Sequence, residues 1–266
     1  MNIDEIAEKI RSDGYAIVEN VIDKKYCDEV AEKLDKIESL HSDKSNTTAS
    51  FKDQKVIYSP FLHDPDVFLP LIGIPLIFDV ANNILGNDHV TLNGCSGSRS
   101  SGPGYGQIHT DSSMPVSNVD YTTDLLTCIA LDDFTEKSGA THVWKGSHKS
   151  GMNPKGLTDL MERPERLVLE APKGSIIFIL GQTWHMTGGN TSGNRRWGFF
   201  HQYSRWFIKP MFAHNTMGPE IYSKLNVIQK QLFGFSSRPP NRPGKRTLSV
   251  MDPNSLPENY DDVMSL

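Results

Sequence analysis

Apolar residues recur at helical spacing in three parts of the first third of the chain. The intervals of three and four residues place these side chains on one face of a helix. They predict helices over residues 3–13, 24–40 and 75–85, with Gly14 and Gly86 just beyond the ends of the first and third. The polar, patternless stretch 41–50 predicts a loop.

Short apolar and β-branched segments dominate the rest of the chain. Strands are predicted over residues 15–18, 90–93, 125–131, 166–169, 175–180 and 196–203. Each of the later strands is bounded by Gly, Pro, Asp or Asn, while the Gly- and Ser-rich stretch 94–106 predicts a loop. Helices followed by a block of short strands indicate an antiparallel sandwich or barrel and argue against βαβ alternation.

The length of 266 residues allows one large domain or two small ones. We predict a single domain over 1–266, because the residues proposed below as ligands must share one barrel. It has a helical N-terminal part (1–89), a β-barrel core (90–210) and a C-terminal helix and tail (211–266). The helix is predicted over 219–233, and the basic, Pro-rich tail beyond it has no apolar pattern of its own.

Charge and cysteine content narrow the choice of partners. A net charge of -5 argues against a nucleic-acid partner and gives no support to an anionic membrane surface. The three cysteines suggest neither a disulfide framework nor a thiolate zinc site. The N-terminus lacks the features of a signal peptide, and no apolar run is long enough to span a bilayer. We therefore expect a cytoplasmic protein without membrane partners, and a homodimer is left open.

Two of the nine histidines occur in a His-x-Asp pattern, at His41-Ser42-Asp43 and at His109-Thr110-Asp111. In an extended segment this spacing puts both side chains on one face. Two His and one carboxylate form the facial triad that binds ferrous iron and leaves other coordination positions open. The first match lies in a polar loop, so we favour the second, with His185 after the apolar strand as the third ligand.

Arg195 and Arg196 open the aromatic strand that follows. A buried arginine at this position calls for a carboxylate that it can bind with two hydrogen bonds. If no protein acid serves, the carboxylate can come from a cosubstrate.

The order His109-x-Asp111, His185, Gly188-x-Asn190-x-Ser192 and Arg196 resembles the phytanoyl-CoA dioxygenase family. Gly139-Ala140-Thr141 and Gly146-Ser147-His148 are also similar to that family, although Lys145 stands where its members usually have Pro. The resemblance covers residues 13–233. It implies a mainly β fold with flanking helices and a double-stranded β-helix (jelly-roll, cupin-like) core.

The resemblance also implies the site residues. His109, Asp111 and His185 would be the catalytic iron ligands, and Arg196 would bind the distal carboxylate of 2-oxoglutarate. Thr187, Gln107 and Thr127 fall where the family places further cosubstrate contacts. Arg195 is the rival of Arg196, and because neighbours on a strand face opposite ways, only one of them can point into the barrel.

The activity implied by the resemblance is oxidation of a small organic substrate by an Fe(II)- and 2-oxoglutarate-dependent dioxygenase that consumes O2. Hydroxylation of a natural-product intermediate is the expected outcome, with desaturation or rearrangement left open, and the polar loops 42–55 and 112–124 are the expected lids. The alternatives are a cupin-like metal-dependent isomerase or hydrolase, and a non-catalytic jelly-roll binding protein.

Overall fold

Two antiparallel sheets face each other and form the double-stranded β-helix. The computed structural model describes residues 1–41, 48–51, 53–86, 90–112, 114, 121–238 and 251–265. The strands in these ranges are β1 (Tyr15–Val18), β2 (Thr48–Phe51), β3 (Gln54–Tyr58), β4 (Thr91–Ser100), β5 (Asp124–Ala130), β6 (His142–Trp144), β7 (Arg166–Val168), β8 (Ile176–Leu180), β9 (His185–Met186) and β10 (Trp197–Ser204). The larger sheet has the order β1-β8-β5-β10-β4-β3-β2, and the smaller has the order β7-β6-β9.

Helices flank this barrel. They are α1 (Ile3–Asp13), α2 (Lys24–His41), α3 (Pro65–Phe68), α4 (Pro75–Leu85), α5 (Pro219–Tyr222), α6 (Val227–Leu232) and α7 (Tyr260–Ser265). Asn2 and Glu5 form a capping box that starts α1, and Gly14 ends it in the left-handed region with φ of 90°. Among the described residues no single helix is long and apolar enough to cross a membrane, and only the bent pair Pro65–Leu71 and Pro75–Leu85 passes that test by length and composition.

The two faces of the larger sheet have different environments because side chains alternate along each strand. The outer face packs against the helices: Leu125, Phe178 and Phe199 join Ile6 and Leu34 in one buried cluster. On the inner face, Cys128 and Ile177 belong to a second, smaller cluster that also includes Val143 of the smaller sheet. The inner face is therefore the floor of the space between the sheets.

The predicted barrel is confirmed, but several of its boundaries differ from the predictions. Strand β4 continues through Ser100, across the Gly- and Ser-rich residues predicted as a loop. The N-terminal part, in which a strand is predicted only over 15–18, also supplies β2 and β3 to the larger sheet. The predicted helix 219–233 is two short helices, and the chain after the tail returns to the core through buried Leu256 and Val263.

Some predictions fall on residues outside the described ranges. These include Ser42 and Asp43 of the first His-x-Asp match, about half of the two expected lid loops, and the tail from 239 to 250.

Candidate functional site

The segment between β4 and β5 meets strand β9 at His109 and His185. The backbone N–H of each residue donates to the carbonyl of the other at 3.0 Å, so they form an isolated antiparallel bridge. Residues paired in this way project their side chains to the same side of the ladder. The imidazole rings lie with centroids 4.3 Å apart.

Asp111 places its carboxylate between the two rings. Its Oδ1 atom is 3.6 Å from His109 Nε2, and its Oδ2 atom is 3.5 Å from His185 Nε2. One ligand atom from each of the three side chains lies within 4.8 Å of the others. Two imidazole nitrogens and one carboxylate oxygen at this separation match the facial triad.

Backbone hydrogen bonds orient both rings. His109 Nδ1 is 2.9 Å from the carbonyl oxygen of Gln107, and His185 Nδ1 is 3.0 Å from that of Thr183. A carbonyl oxygen can only accept, so each Nδ1 carries the proton and each Nε2 presents a lone pair toward Asp111. Thr183 Oγ1 in turn donates to the Gly14 carbonyl, which ties this arrangement to the end of α1.

The carboxylate of Asp111 has an unsatisfied oxygen. Oδ2 is buried and has no hydrogen-bond partner among the described residues. Burial alone would raise the pKa of Asp111, but His185 and His109 outweigh it, so the pKa is lowered. A buried, ionised oxygen without a donor is costly unless a cation satisfies it, so the residues present fit a divalent metal ion.

The two imidazoles differ in exposure and in pKa. The His109 side chain is 49% exposed, and Asp111 outweighs the effect of desolvation and raises its pKa. His185 is 6% exposed, and burial lowers its pKa against the opposing effect of Asp111. His185 therefore favours the neutral form that binds metals.

A cavity of about 680 Å³ opens in front of this triad. One wall is apolar, with Val56, Leu126 and Phe200 from the larger sheet. The other lining residues are Gln54, Tyr58, Ser96, Ser98, Tyr105, Gly106, Gln107, Thr141, Thr187 and the triad itself. The volume lies within the usual range for sites that bind small molecules.

Arg196 and Arg195 face opposite sides of the larger sheet. Arg196 is 1% exposed, lies 4.5 Å over the Phe134 ring, and donates to the carbonyls of Ser138 and Gly139. It forms no ion pair with a described carboxylate, and burial lowers its pKa to about 10. Arg195 instead forms ion pairs with Asp35 of α2 and with Asp132.

Gly139 and Gly188 allow the turn whose carbonyls accept from Arg196 to lie close to β9. A Cβ on Gly139 would lie 2.7 Å from the Gly188 carbonyl oxygen, and one on Gly188 would lie 2.5 Å from that of Ala140. These backbone contacts exclude larger residues, and Gly139 also has a φ of +84°. They fix the distance between the strand that carries His185 and the carbonyl that accepts from Arg196.

The other predicted cosubstrate contacts divide into two groups. Thr187 and Gln107 line the cavity. Thr127 does not: it faces the helices and lies 3.3 Å from His201 Nδ1. The strand phase explains this, because the neighbours of Thr127, Leu126 and Cys128, are the residues that face inward.

Most of the cavity wall consists of residues that were not predicted as site residues. Ser96 and Ser98 alternate along β4 with residues that face the helices, and Gln54, Val56 and Tyr58 alternate along β3 in the same way. The period of two in 94–100 is the signal for this strand, but the small residues there are also typical of a loop.

Comparison with known sequences and structures gives consistent results. The profile of the family described as phytanoyl-CoA dioxygenase (PhyH) matches residues 10–198. The uncharacterized protein Rv1501 of Mycobacterium tuberculosis is 24% identical over 89% of this chain and 88% of its own length. Dioxygenase FUM3 of Gibberella moniliformis is 33% identical over 44% of this chain and 38% of its own.

Among solved structures, the non-heme alpha-ketoglutarate-dependent epimerase SnoN from nogalamycin biosynthesis superposes with a TM-score of 0.60. The match is 21% identical and covers 76% of this chain and 80% of SnoN. SnoN has also been solved in complex with Fe3+, alpha-ketoglutarate and nogalamycin RO. At this identity the likeness establishes the fold.

Proposed function

The chain belongs to the phytanoyl-CoA dioxygenase family, and on that basis we propose that His109, Asp111 and His185 bind ferrous iron for oxidation of a small organic molecule in the adjacent cavity. Membership makes the protein an Fe(II)- and 2-oxoglutarate-dependent oxygenase that uses O2. When bound, the iron and 2-oxoglutarate supply the oxidising chemistry, while the protein supplies binding, orientation and exclusion of side reactions.

The observation that carries this proposal is the buried Oδ2 of Asp111, which has no donor within the described part of the chain and lies 3.5 Å from His185 Nε2. Both histidines keep their protons on Nδ1, so their Nε2 lone pairs are available in the same space. The three residues would therefore hold a cation without rearranging their hydrogen bonds.

Arg196 is our proposed partner for the distal carboxylate of 2-oxoglutarate. It is a buried cation without an ion pair to a described carboxylate, and its planar guanidinium suits bidentate binding. Thr187 and Gln107 line the same cavity as the triad and would provide further polar contacts to the cosubstrate. Arg195 is already paired with Asp35 and Asp132, which argues against the same role for it.

The substrate we propose is a natural-product intermediate, and hydroxylation is the expected outcome. The cavity of about 680 Å³ can accommodate such a molecule beside the cosubstrate. SnoN acts in nogalamycin biosynthesis, and a small-molecule substrate for this chain is consistent with that relationship. Desaturation, rearrangement or an epimerisation like that of SnoN would begin in the same cavity.

The experiment that tests this proposal measures succinate. Anaerobically purified protein is incubated with Fe(II) and 2-oxoglutarate, oxygen is added, and succinate is measured with and without candidate substrates. We expect iron-dependent succinate formation in the natural chain. Iron binding without any consumption of 2-oxoglutarate would favour the isomerase or hydrolase alternative, and no affinity for iron would favour the binding protein.

The matched variants are Asp111→Ala and Glu8→Ala, which removes an exposed acid from α1. Asp111→Ala should retain less than about a hundredth of the iron-dependent succinate formation, because one of three ligands and its charge are lost. Glu8→Ala should match the natural chain. Full turnover by Asp111→Ala would contradict the assignment of the ligands.

A further inference from the structure

A second cavity, distinct from the one in front of the triad, is lined by basic side chains. Its volume is about 410 Å³, and its lining residues are Arg11, Ile84, Thr122, His148, Lys149, Leu180 and Arg205. We refer to it as the basic cleft. No acidic side chain is among these described lining residues, although the whole chain carries a net charge of -5.

The cations of the basic cleft are held in place by backbone carbonyls. Arg11 donates from Nη2 to the Asn83 carbonyl at 2.7 Å, Lys149 donates to that of Ser12 at 2.8 Å, and Arg205 Nε donates to that of Thr122 at 2.9 Å. These contacts orient the side chains before any ligand arrives, which reduces the entropic cost of binding.

Helix capping explains part of this arrangement. Arg11 and Lys149 bind carbonyls near the C-terminal ends of α4 and α1, where cations are favourable. Arg205 binds the carbonyl of Thr122, which belongs to neither helix, and its guanidinium lies 4.3 Å over the Tyr121 ring. The C-terminal ends of α4 and α1 together carry about one unit of negative charge. The three cations that line the cleft therefore leave an excess of positive charge there. Each cation also keeps further N–H donors beyond those that bind carbonyls.

We propose that the basic cleft binds a phosphorylated small molecule. Arg11, Lys149 and Arg205 would bind the phosphate oxygens through charge-assisted hydrogen bonds. Ile84 and Leu180 provide an apolar wall for the organic part of the ligand, and the volume is within the range for such ligands. His148 stays neutral, because burial lowers its pKa, and its role is to bind the Arg11 carbonyl.

The basic cleft is connected by hydrogen bonds to Ser112, the residue after Asp111. The Arg205 side chain donates to the Thr122 carbonyl, and the backbone N–H of Arg205 donates to the Thr123 carbonyl at 3.2 Å. Thr123 Oγ1 lies 3.2 Å from the hydroxyl of Ser112, the residue after Asp111. The backbone that Arg205 binds is therefore hydrogen-bonded to Ser112, whereas neither Ser112 nor Asp111 lines the basic cleft.

The test is calorimetric titration of the full chain with inorganic phosphate and, separately, with ADP as a probe for organic diphosphates. We expect saturable binding that Arg205→Gln and Lys149→Gln each weaken at least tenfold. The matched control Lys155→Gln removes the same charge from an exposed position outside the cleft and should leave binding unchanged. Tighter binding of ADP than of phosphate would identify an organic phosphate as the ligand, and equal affinity would identify phosphate itself.

Two further measurements keep the result interpretable. Thermal unfolding of each variant separates loss of the site from loss of the fold. Asp111→Ala should bind the probe as the natural chain does, since the proposed site does not use the triad; binding lost in that variant would place the anion at the metal site and overturn the proposal. No saturable binding at millimolar probe, or binding that survives both cleft variants, would also overturn it.

Discussion

The two faces of the larger sheet show how one set of strands serves two purposes. On the face toward the helices, Phe199 is fully buried and stacks on Phe68 with ring centroids 5.9 Å apart. On the opposite face, the next residue, Phe200, is half-buried and lines the cavity in front of the triad. The helix-facing side is filled, while the inner side keeps a space that a ligand can occupy.

Along one strand, residues that pack in the core therefore alternate with residues that line the ligand cavity. Arg195 and Arg196 follow the same rule at the start of β10. Arg195 is a partly exposed cation paired with acids on the helix side, while Arg196 is a buried cation without an acid partner among the described residues. Neighbouring positions can therefore be substituted to separate a loss of folding from a loss of ligand binding.

The largest expected difference between the two faces is in the free energy of unfolding, and it is tested by Phe199→Ala. It should lower the free energy of unfolding by about 3–5 kcal/mol, because it removes a fully buried ring from the main core. Phe200→Ala should cost about 1–2 kcal/mol, since part of its surface already faces the cavity. Chemical denaturation of both variants measures the comparison. Equal losses would show that the inner face is as important to the core as the outer face.

The next effect separates the two arginines. Arg196→Ala should raise the 2-oxoglutarate concentration required for half-maximal succinate formation at least about thirtyfold, because a buried charged hydrogen-bonding partner of the cosubstrate is lost. Arg195→Ala should leave that concentration unchanged and lower the free energy of unfolding by about 0.5–1 kcal/mol, as expected for a partly exposed ion pair. The reverse ranking would show that Arg195 is the cosubstrate residue.

Arg196→Lys refines the same measurement. It keeps the positive charge but removes the planar fork that binds a carboxylate with two hydrogen bonds. We expect an intermediate requirement for 2-oxoglutarate. Complete recovery by lysine would mean that charge alone, without bidentate geometry, accounts for the role of Arg196.

The types of side chain on the two faces of each strand also explain which strands could be predicted from the sequence. Strands β5, β8 and β10 were found within one or two residues of their ends, because apolar side chains on both faces make the signal strong. Strand β4 was cut short because its composition resembles a loop. Its small residues have a packing reason: a Cβ on Gly97 would lie 2.5 Å from Leu34 Cδ2, and Ser96 and Ser98 leave room for the cavity.

The site residues were accessible to sequence reasoning to different degrees. His109 and Asp111 share a local pattern, and the position of His185 after an apolar strand made it the expected third ligand, but the backbone bridge that joins His109 to β9 cannot be read from the sequence. The hydrogen bonds that fix Nδ1 of both histidines run to carbonyls two residues earlier and need backbone geometry to be seen. Thr127 is expected as a cosubstrate contact from the family resemblance alone, whereas its side chain lies on the helix-facing side of β5 beside His201.

The smallest effects, at Thr187 and Thr127, make this last point testable. Thr187→Val removes a hydroxyl that lines the cavity, and we expect a rise of about threefold to tenfold in the 2-oxoglutarate requirement, as for a hydrogen bond worth about 1 kcal/mol. Thr127→Val should leave that requirement unchanged, because its hydroxyl lies among the helix-facing residues beside His201. It should instead lower the free energy of unfolding by about 1 kcal/mol. His201 Nε2 is buried with no partner among the residues that the structure describes, and Nδ1 would lose its own partner. A higher 2-oxoglutarate requirement in Thr127→Val would support the role that the family resemblance implies for Thr127. It would also mean that a substitution on the outer face of β5 changes cosubstrate binding on its inner face.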